Sequence, residues 1–549
     1  MAWSNHWIVL DDSSLHPPAH WRIPEDDDDA AAGIPWVLLD RDAYVADHRN
    51  STTAFSHSAC GKQIQVTFFL ARPPRVSYFC VFCPGLDYTE IPVEPQILAM
   101  EDNLVLLRIV VGHEGDSHER CGLYIYQANG ADDGGPSLKR LPRHPDYCSF
   151  RSNQVGILRY SNRDSGGGFV LRPHGDEKDE FVVAALFKLS DPGVRAQAPC
   201  GDEFEPGLKW FALYVYDSKL DAWSVNVVSL DQQQQQQQQG SHFLHHNSKV
   251  IAIGGEAGTM GFVDLWRGIL LCDVLSGNPK LRYVTVPPPI IPDEVVSHDR
   301  MPNREIANPA HLLRDIAVIK GRIEYVDMQI NWNKHVLTKD YRYTFDGWMA
   351  KRWSRPVLAA NSVAADNSEH WRVDCDTVSS DDIAVDNNPH FQLLPKPQSS
   401  EPLPPFKGLA ICHPALSLND DDSTVYFMTK ITPEDDKGWV IAVNMINKEL
   451  LGVAQFAAER TCTTSFAFVH SRISKYLTGA PVVQVEKEGL KRQGHMLAGP
   501  ANKKPPGVTM VPFETVVANL GIKIEATSGM AEDEDIKLVA EDEDMMPVD

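Results

Sequence analysis

The sequence lacks any run of 18 consecutive apolar residues, and its start has no signal-peptide pattern. A membrane-spanning helix needs about 20 such residues, so no membrane span is expected. The opening MAWSNHWIVL has no basic segment, and its apolar run from Trp7 to Leu10 is too short for a secretion signal. These absences predict an intracellular protein, cytoplasmic or nuclear, whose ten scattered cysteines are reduced.

Basic residues are in deficit, because 51 lysines and arginines face 74 acidic residues and the net charge is −23 at pH 7. A phosphate backbone would repel such a surface, so we exclude nucleic-acid binding through bulk charge. Ten acids against Lys537 alone lie between Glu525 and Asp549, and this acidic tail supplies −9 of the total. The 12 tryptophans, 21 phenylalanines and 15 tyrosines exclude a collagen-like or fully disordered chain.

Recognised catalytic motifs are also missing: there is no nucleophile elbow, no His-Glu-x-x-His and no kinase signature. Acidic pairs such as Asp381-Asp382 fall in loops, where solvated charge is the ordinary interpretation. The glycine-rich stretch 254–261 lacks the Gly-Lys-Ser/Thr of a phosphate-binding loop, so we interpret it as a turn between strands. We therefore predict no catalytic residue and no cofactor.

Metal binding has two weak candidates. Cys80 and Cys83 have the spacing of a zinc-ligand pair, but no second pair follows at a suitable distance. Residues three apart in a strand face opposite sides of the sheet, so this pair is interpreted as strand interior. His242, His245 and His246 adjoin a glutamine run, where a flexible cluster would offer no fixed geometry. We therefore predict no metal site.

Strands dominate what is present. Apolar runs of four to eight residues, rich in β-branched and aromatic side chains and bounded by Gly, Pro, Asn or Asp, recur along the chain. They lie at 64–70, 76–83, 104–111, 123–126, 181–188, 210–216, 269–274, 282–286, 424–428 and 439–445. Helical periodicity is scarce, and a short helix near 509–520 is the best candidate. The fold class is mainly β.

A hairpin recurs in which an apolar strand enters a polar turn and a second strand carries Trp or Tyr. Its clearest copies are 213–223 and 341–353, with looser copies at 82–85, 124–130, 270–283 and 441–453. The underlying unit of about 45–60 residues matches a four-stranded propeller blade with loop insertions. We predict a β-propeller-like ring of about six or seven four-stranded blades. The alternative is two β-sandwich domains joined near 231–248.

The predicted domain organisation has three parts. Residues 1–35 form a disordered acidic N-terminus, and residues 476–549 form a mostly disordered tail with acidic clusters. Residues 36–475 form the propeller-like domain. Two stretches within it are predicted as disordered or loop-forming, the polyglutamine segment 231–241 and the polar, proline-rich insert 359–404.

The stretch VDLWRGILLCDVL at 263–275, followed by LRYVTVPPP at 281–289, resembles a plant family expanded in grasses, domain of unknown function 1618. The signature residues are Asp264, Leu265, Trp266, Arg267, Gly268, Cys272 and Asp273. The resemblance spans about 36–475 and implies no established activity, catalytic residue or cofactor. We expect the signature to be structural, with an Asp–Arg pair and a Trp at a blade edge locking neighbouring blades.

The hairpins also resemble, more loosely, the kelch-like propellers associated with F-box proteins, although the N-terminal F-box segment itself is absent. Three functions remain open. The first is a non-enzymatic scaffold that binds a protein or peptide partner through loops on one ring face. The second is a propeller hydrolase or lyase with an active site on the ring axis. The third is a nuclear regulatory protein that uses its acidic tail.

Overall fold

A computed structural model describes 19 stretches of the chain, which belong to one compact unit. They are residues 10, 12–18, 33–86, 90–112, 121–130, 134–143, 150–160, 180–189, 210–230, 244–290, 310–337, 340–357, 371–384, 387–397, 404–419, 422–432, 435, 437–456 and 467–477. Outside them lie the glutamine run, the acidic clusters of both termini and the helix expected near 509–520. No helix in these stretches is long and apolar enough to cross a membrane.

Five antiparallel sheets of four strands follow one another along the chain as blades 2 to 6. Blade 2 contains β6 (Gln96–Glu101), β7 (Leu104–Val110), β8 (Cys121–Gln127) and β9 (Ser137–Arg140). Blade 3 contains β10 (Val155–Tyr160), β11 (Glu180–Lys188), β12 (Trp210–Asp217) and β13 (Ala222–Ser229). Blade 4 contains β14 (Lys249–Gly254), β15 (Thr259–Asp264), β16 (Gly268–Asp273) and β17 (Leu281–Thr285). Blade 5 contains β18 (Arg314–Ile319), β19 (Arg322–Leu337), β20 (Asp340–Pro356) and β21 (Arg372–Ser379). Blade 6 contains β22 (Ala410–Leu416), β23 (Thr424–Lys430), β24 (Gly438–Asn444) and β25 (Glu449–Phe456).

Blade 1 closes the ring with strands from both ends of the described chain. It contains β1 (Val37–Asp40), β2 (Tyr44–Val45), β3 (Ala54–His57), β4 (Gln63–Phe69), β5 (Val76–Phe82) and β26 (Phe468–Ser471). The last strand, β26, pairs antiparallel with the first, β1, and β1 pairs parallel with β5. Ring closure leaves few free strand edges, which suits a chain so rich in strands.

The prediction of a mainly β propeller is confirmed, with six blades in a ring. Neighbouring inner strands contact one another in ring order, and the backbone N–H of Ile97 in β6 donates to Arg41 O beside β1 (3.0 Å). Apolar clusters fill the spaces between successive blades, as between blades 3 and 4, where Leu213 and Phe262 are fully buried in one cluster. Such interleaved packing is what holds the blades in fixed positions.

Four of the predicted hairpins are the outer hairpins of blades, at β8–β9, β12–β13, β16–β17 and β24–β25. The hairpin predicted at 341–353 is wrong, because these residues lie within the single strand β20. Its Asp346-Gly347 pair forms a bulge opposite β19 rather than a turn, with Gly347 at a φ of +95°. The copy at 82–85 is wrong as well, because blade 1 runs from its outer strand inward and β5 leads to the next blade.

The prediction that residues 359–404 form a loop is wrong in part, because Arg372–Ser379 is the outer strand of blade 5. This strand is polar because its side chains are mostly exposed, which hid it from a search for apolar runs. Short 3-10 helices at Ser380–Asp382 and Pro389–Leu393 follow it. The predicted limits of the N-terminal segment, the propeller domain and the tail stay predictions.

Candidate axial binding site

A cavity of about 170 Å³ lies on the ring axis and is lined by residues of all six inner strands. In a propeller these are the strands whose side chains face the axis. The lining combines aliphatic side chains, such as those of Ile97, Ile251 and Val318, with polar and charged ones. The ionisable side chains of the lining are Arg41, Glu101, Asp102, Lys249, Asp315, His470 and Arg472.

Lys249, Asp315 and His470 form a paired group on the axis, which we call the axial triad. Lys249 Nζ donates to Asp315 Oδ1 (2.7 Å) and lies 3.4 Å from His470 Nε2. The other carboxylate oxygen, Asp315 Oδ2, accepts the backbone N–H of Leu416 (3.2 Å) and lies 3.7 Å from His470 Nδ1. These four residues come from blades 4, 5, 6 and 1, so the triad connects four consecutive blades.

The electrostatics of the triad favour a neutral histidine. Burial and the neighbouring Lys249 lower the pKa of His470 to about 3. Asp315 is 2% exposed, so its charge depends on Lys249 and on the Leu416 N–H for compensation. Because an effective general base has a pKa near the working pH, His470 is poorly suited to accept protons near pH 7.

A second charged group, the β6-end group, lies where β6 ends. Burial and the neighbouring Asp102 raise the pKa of Glu101 to about 8, although Arg472 and Arg159 oppose the shift. Arg159 Nη1 lies 3.5 Å from Asp102 Oδ2. Arg472 Nη2 donates to the carbonyl of Leu418 (3.3 Å). Glu101 is therefore protonated over most of the neutral pH range.

Arg41, which directly follows β1, is the most buried cation of the lining, with 6% of its surface exposed. Within the stretches that the structure describes, its side chain donates no hydrogen bond, and Nε is fully buried. Burial lowers the pKa of Arg41. A buried guanidinium normally donates to carboxylate or carbonyl oxygens, so this arrangement distinguishes Arg41 from the paired Lys249.

None of these axial residues was singled out from the sequence. They lie at positions 41, 249, 315 and 470, and only ring closure brings them together. A weak signal was present, because each is a charged or polar residue at the edge of an apolar inner strand, as in Arg314-Asp315 before Ile-Ala-Val-Ile. Without the topology, that signal does not distinguish an axial residue from a strand end in solvent.

None of the predicted signature residues lines the axial cavity; Leu265 and Trp266 lie at the junction of blades 4 and 5, and Cys272 lies in the core between blades 3 and 4. Asp264 is 1% exposed, and its carboxylate accepts the N–H of His246 (2.8 Å), the N–H of Trp266 (3.0 Å) and Arg267 Nη1 (3.1 Å). These bonds shape the turn between β15 and β16. Gly268 begins β16, where a Cβ would lie 2.5 Å from Tyr283.

The rest of the signature contacts blade 5 or the outer hairpin of blade 4. The guanidinium of Arg314 lies 4.1 Å from the ring centroid of Trp266, and its Nη1 donates to Leu265 O (3.0 Å). Cys272 is fully buried. Asp273 accepts Thr259 Oγ1 (2.6 Å) and Arg282 Nη2 (3.1 Å). The structural role of the signature stays a prediction, and these contacts between blades support it.

The remaining candidates are buried within blades. Cys80 and Cys83 are each 1% exposed and belong to the cores on opposite sides of blade 1. The 254–261 segment contains the turn between β14 and β15, as predicted, with Gly254 and Gly255 at positive φ. His245 is 5% exposed and bonded to Asn247 (2.9 Å), so the expectation of a flexible cluster is wrong for this residue. His242 lies outside the described residues.

Strand pairing and the axial cavity define this protein as a six-bladed β-propeller. Residues 262–426 match the family DUF1618, described as a protein of unknown function, which confirms the resemblance carried by the signature. No curated protein matches the chain in sequence.

Two solved structures are similar to the chain at low identity. The WD40 domain of SCAP from fission yeast is 13% identical, with 77% of this chain and 89% of that chain covered and a TM-score of 0.26. An ancestral GH74 enzyme is 9% identical, with 80% of this chain and 40% of that chain covered and a TM-score of 0.24. The fold assignment therefore rests on the strand pairing within this chain.

Proposed function

We propose that this propeller is a non-enzymatic scaffold that binds a protein or peptide partner, a segment of which enters the axial cavity. The observation that carries the proposal is the polar cavity at the junction of all six blades. At about 170 Å³ it is smaller than the roughly 300–1,000 Å³ typical of small-molecule and cofactor sites. It suits the insertion of a side chain or two from a partner held by the surrounding loops.

The pairing within the axial triad supports a binding role over a catalytic one. Lys249 and Asp315 bond to each other, and His470 has a pKa of about 3. His470 therefore lacks the pKa near 7 that a general base requires, and the other two side chains are engaged with each other.

The experiment fills the cavity and compares the proteins captured. Ala252 lines the cavity, so Ala252→Trp would occupy it, whereas Val225→Trp places the same side chain on the exposed outer strand of blade 3. We expect a partner retained by wild type and Val225→Trp and lost by Ala252→Trp, measured by quantitative capture with folding checked by thermal melting. A partner retained equally by all three proteins would contradict the proposal.

An axial enzyme is the second candidate, and Glu101 is the observation that favours it. A carboxyl with a pKa of about 8 in a cavity resembles a general acid. A hydrolase or lyase of this kind would show a rate that falls as pH rises through about 8, and Glu101→Gln would abolish the activity. A turnover unaffected by Glu101→Gln would exclude this residue as the acid.

Other features stay proposals. The seven cysteines that the structure describes are free thiols, which supports a reducing, intracellular environment. A plant source and the absence of nucleic-acid binding through bulk charge remain predictions from the sequence.

A further inference from the structure

Arg41 is held rigidly at the edge of the axial cavity. Its backbone N–H donates to Ala467 O (3.5 Å) and its carbonyl accepts the N–H of Ile97 (3.0 Å), which joins blades 1 and 2. Arg41 is only 6% exposed, and it lines the cavity. The position of the guanidinium therefore follows from the ring itself.

The acid beside Arg41 is engaged with another residue. Asp42 raises the pKa of Arg41, but its Oδ1 accepts Gln96 Nε2 (2.8 Å). Gln96 in turn accepts Arg108 Nη2, and Arg108 is a second cation that lowers the pKa of Arg41. Among the described residues the buried Nε of Arg41 thus has no acceptor, and the residue lines the cavity.

Further basic side chains follow Arg41 into blade 6. Arg41 lowers the pKa of His311, whose ring stacks on that of His413 with centroids 5.5 Å apart. His413 is 2% exposed, and neither ring nitrogen has a hydrogen-bond partner within the described stretches. Lys430 is 4% exposed and lowers the pKa of His413. Through His311, a buried group of neutral histidines therefore adjoins Arg41, and Lys430 Nζ donates to Asp435 O (2.6 Å).

We propose that Arg41 is the binding site for an oxyanion, a carboxylate or phosphate group, reached through the axial cavity. A planar guanidinium can donate two parallel hydrogen bonds to either group. The bound anion would also compensate the buried positive charge of Arg41. A cation is disfavoured by Arg41. The group can be an acidic side chain of the partner or free phosphate, and only the first source rests on the proposed function.

Inorganic phosphate and a short glutamate peptide are the two probes, each titrated into the full chain at constant ionic strength and followed by calorimetry. We expect saturable phosphate binding by wild type and binding about tenfold weaker or more in Arg41→Met, in line with the loss of a charge-assisted pair. Arg282→Met is the matched control, because Arg282 bonds Asp273 outside the cavity lining and should leave binding unchanged. Tighter binding of the peptide than of phosphate would assign the group to a partner, and the reverse would assign it to free phosphate.

Phosphate and peptide binding no stronger than that of chloride, or binding retained by Arg41→Met, would overturn the proposal. If Arg41→Met fails to fold, Arg41→Lys and the phosphate-dependent ring signals of His311 in wild-type NMR spectra provide the same test. If a partner is lost in Ala252→Trp but no phosphate or peptide binding depends on Arg41, the proposed function stands and the oxyanion site is excluded. If phosphate binding depends on Arg41 but no partner is lost in Ala252→Trp, the oxyanion site stands and the proposed function fails.

Discussion

Two buried arginines of this propeller have opposite surroundings. Arg314, 1% exposed, donates from Nε to Asp327 Oδ1 (2.8 Å) and from Nη1 to Leu265 O (3.0 Å), and it stacks on Trp266. Arg41, 6% exposed, donates no side-chain hydrogen bond to a described residue. Both lie where blades meet, so burial alone does not distinguish them.

The difference indicates what each arginine is for. An arginine that holds two blades together needs its acceptors within the chain, and Asp327 is fixed for Arg314 by the N–H of Ile290 (2.9 Å). An arginine that binds a ligand keeps its donors available for acceptors from outside. The contrast therefore predicts that removing Arg314 harms folding, whereas removing Arg41 harms binding.

Acid has the largest expected effect on both regions. Burial lowers the pKa of His245 and of His311 to about 4 and that of His470 to about 3. These histidines are therefore neutral in the folded protein near pH 7. Their folded pKa values lie below the unfolded value of about 6.5, so stability is complete above pH 6.5 and falls as pH decreases toward 4. Each pH unit costs up to about 1.4 kcal/mol per histidine. Urea unfolding between pH 7 and pH 4.5 measures this loss.

Phosphate separates the two regions in the same experiment. A bound oxyanion would raise the pKa of His311 beside Arg41 and reduce the acid-induced loss, while His245 near the blade 4–5 junction would not respond. Glu101, with its pKa raised to about 8, acts in the opposite sense and adds stability as pH falls from about 8 toward 4.5. An acid profile identical with and without phosphate would contradict the assignment of the Arg41 region.

Arg314→Met has the next largest effect. Removing the cation leaves the buried Asp327 with the N–H of Ile290 but no counter-charge, and breaking such a pair costs about 3–5 kcal/mol. Arg282→Met is the control, because its pair with Asp273 has both side chains 24–30% exposed and should contribute less than about 1 kcal/mol. Equal losses of unfolding free energy for the two variants would contradict a special structural role for Arg314.

Lys249→Met tests the axial triad. Asp315 would keep the N–H of Leu416 but lose its cation, so we expect a loss of about 1–3 kcal/mol in unfolding free energy. Phosphate binding should persist, because Arg41 is unchanged. A variant that unfolds as wild type does but no longer binds phosphate would place the anion at Lys249 instead.

Arg41→Met has the smallest effect on stability. Because no described acceptor loses its donor, we expect the unfolding free energy to stay within about 1 kcal/mol of wild type, or to rise. Thermal and urea unfolding in phosphate-free buffer measure this change. A loss as large as that of Arg314→Met would show that Arg41 is a structural residue with a partner inside the chain.

The sequence was sufficient for the fold class and the signature, and insufficient for the axial site. Alternating apolar runs depend on local burial, so the outer hairpins such as β12–β13 were predictable. The bulge at Asp346-Gly347 was not, because Ser380 and the long β19–β20 pairing override a local turn signal; Ser380 Oγ accepts the N–H of Trp348 (3.2 Å). Arg41 and His311 come together only through ring closure, which no local pattern encodes.

A crystal structure of the full chain soaked in selenate is the most direct test of whether Arg41 binds an oxyanion, because the anomalous signal of selenium locates the anion. We expect a peak within hydrogen-bonding distance of the Arg41 guanidinium, absent from crystals of Arg41→Met. An Arg41 guanidinium bonded to a carboxylate or carbonyl of this chain, with no selenium peak beside it, would show that Arg41 is not an oxyanion site.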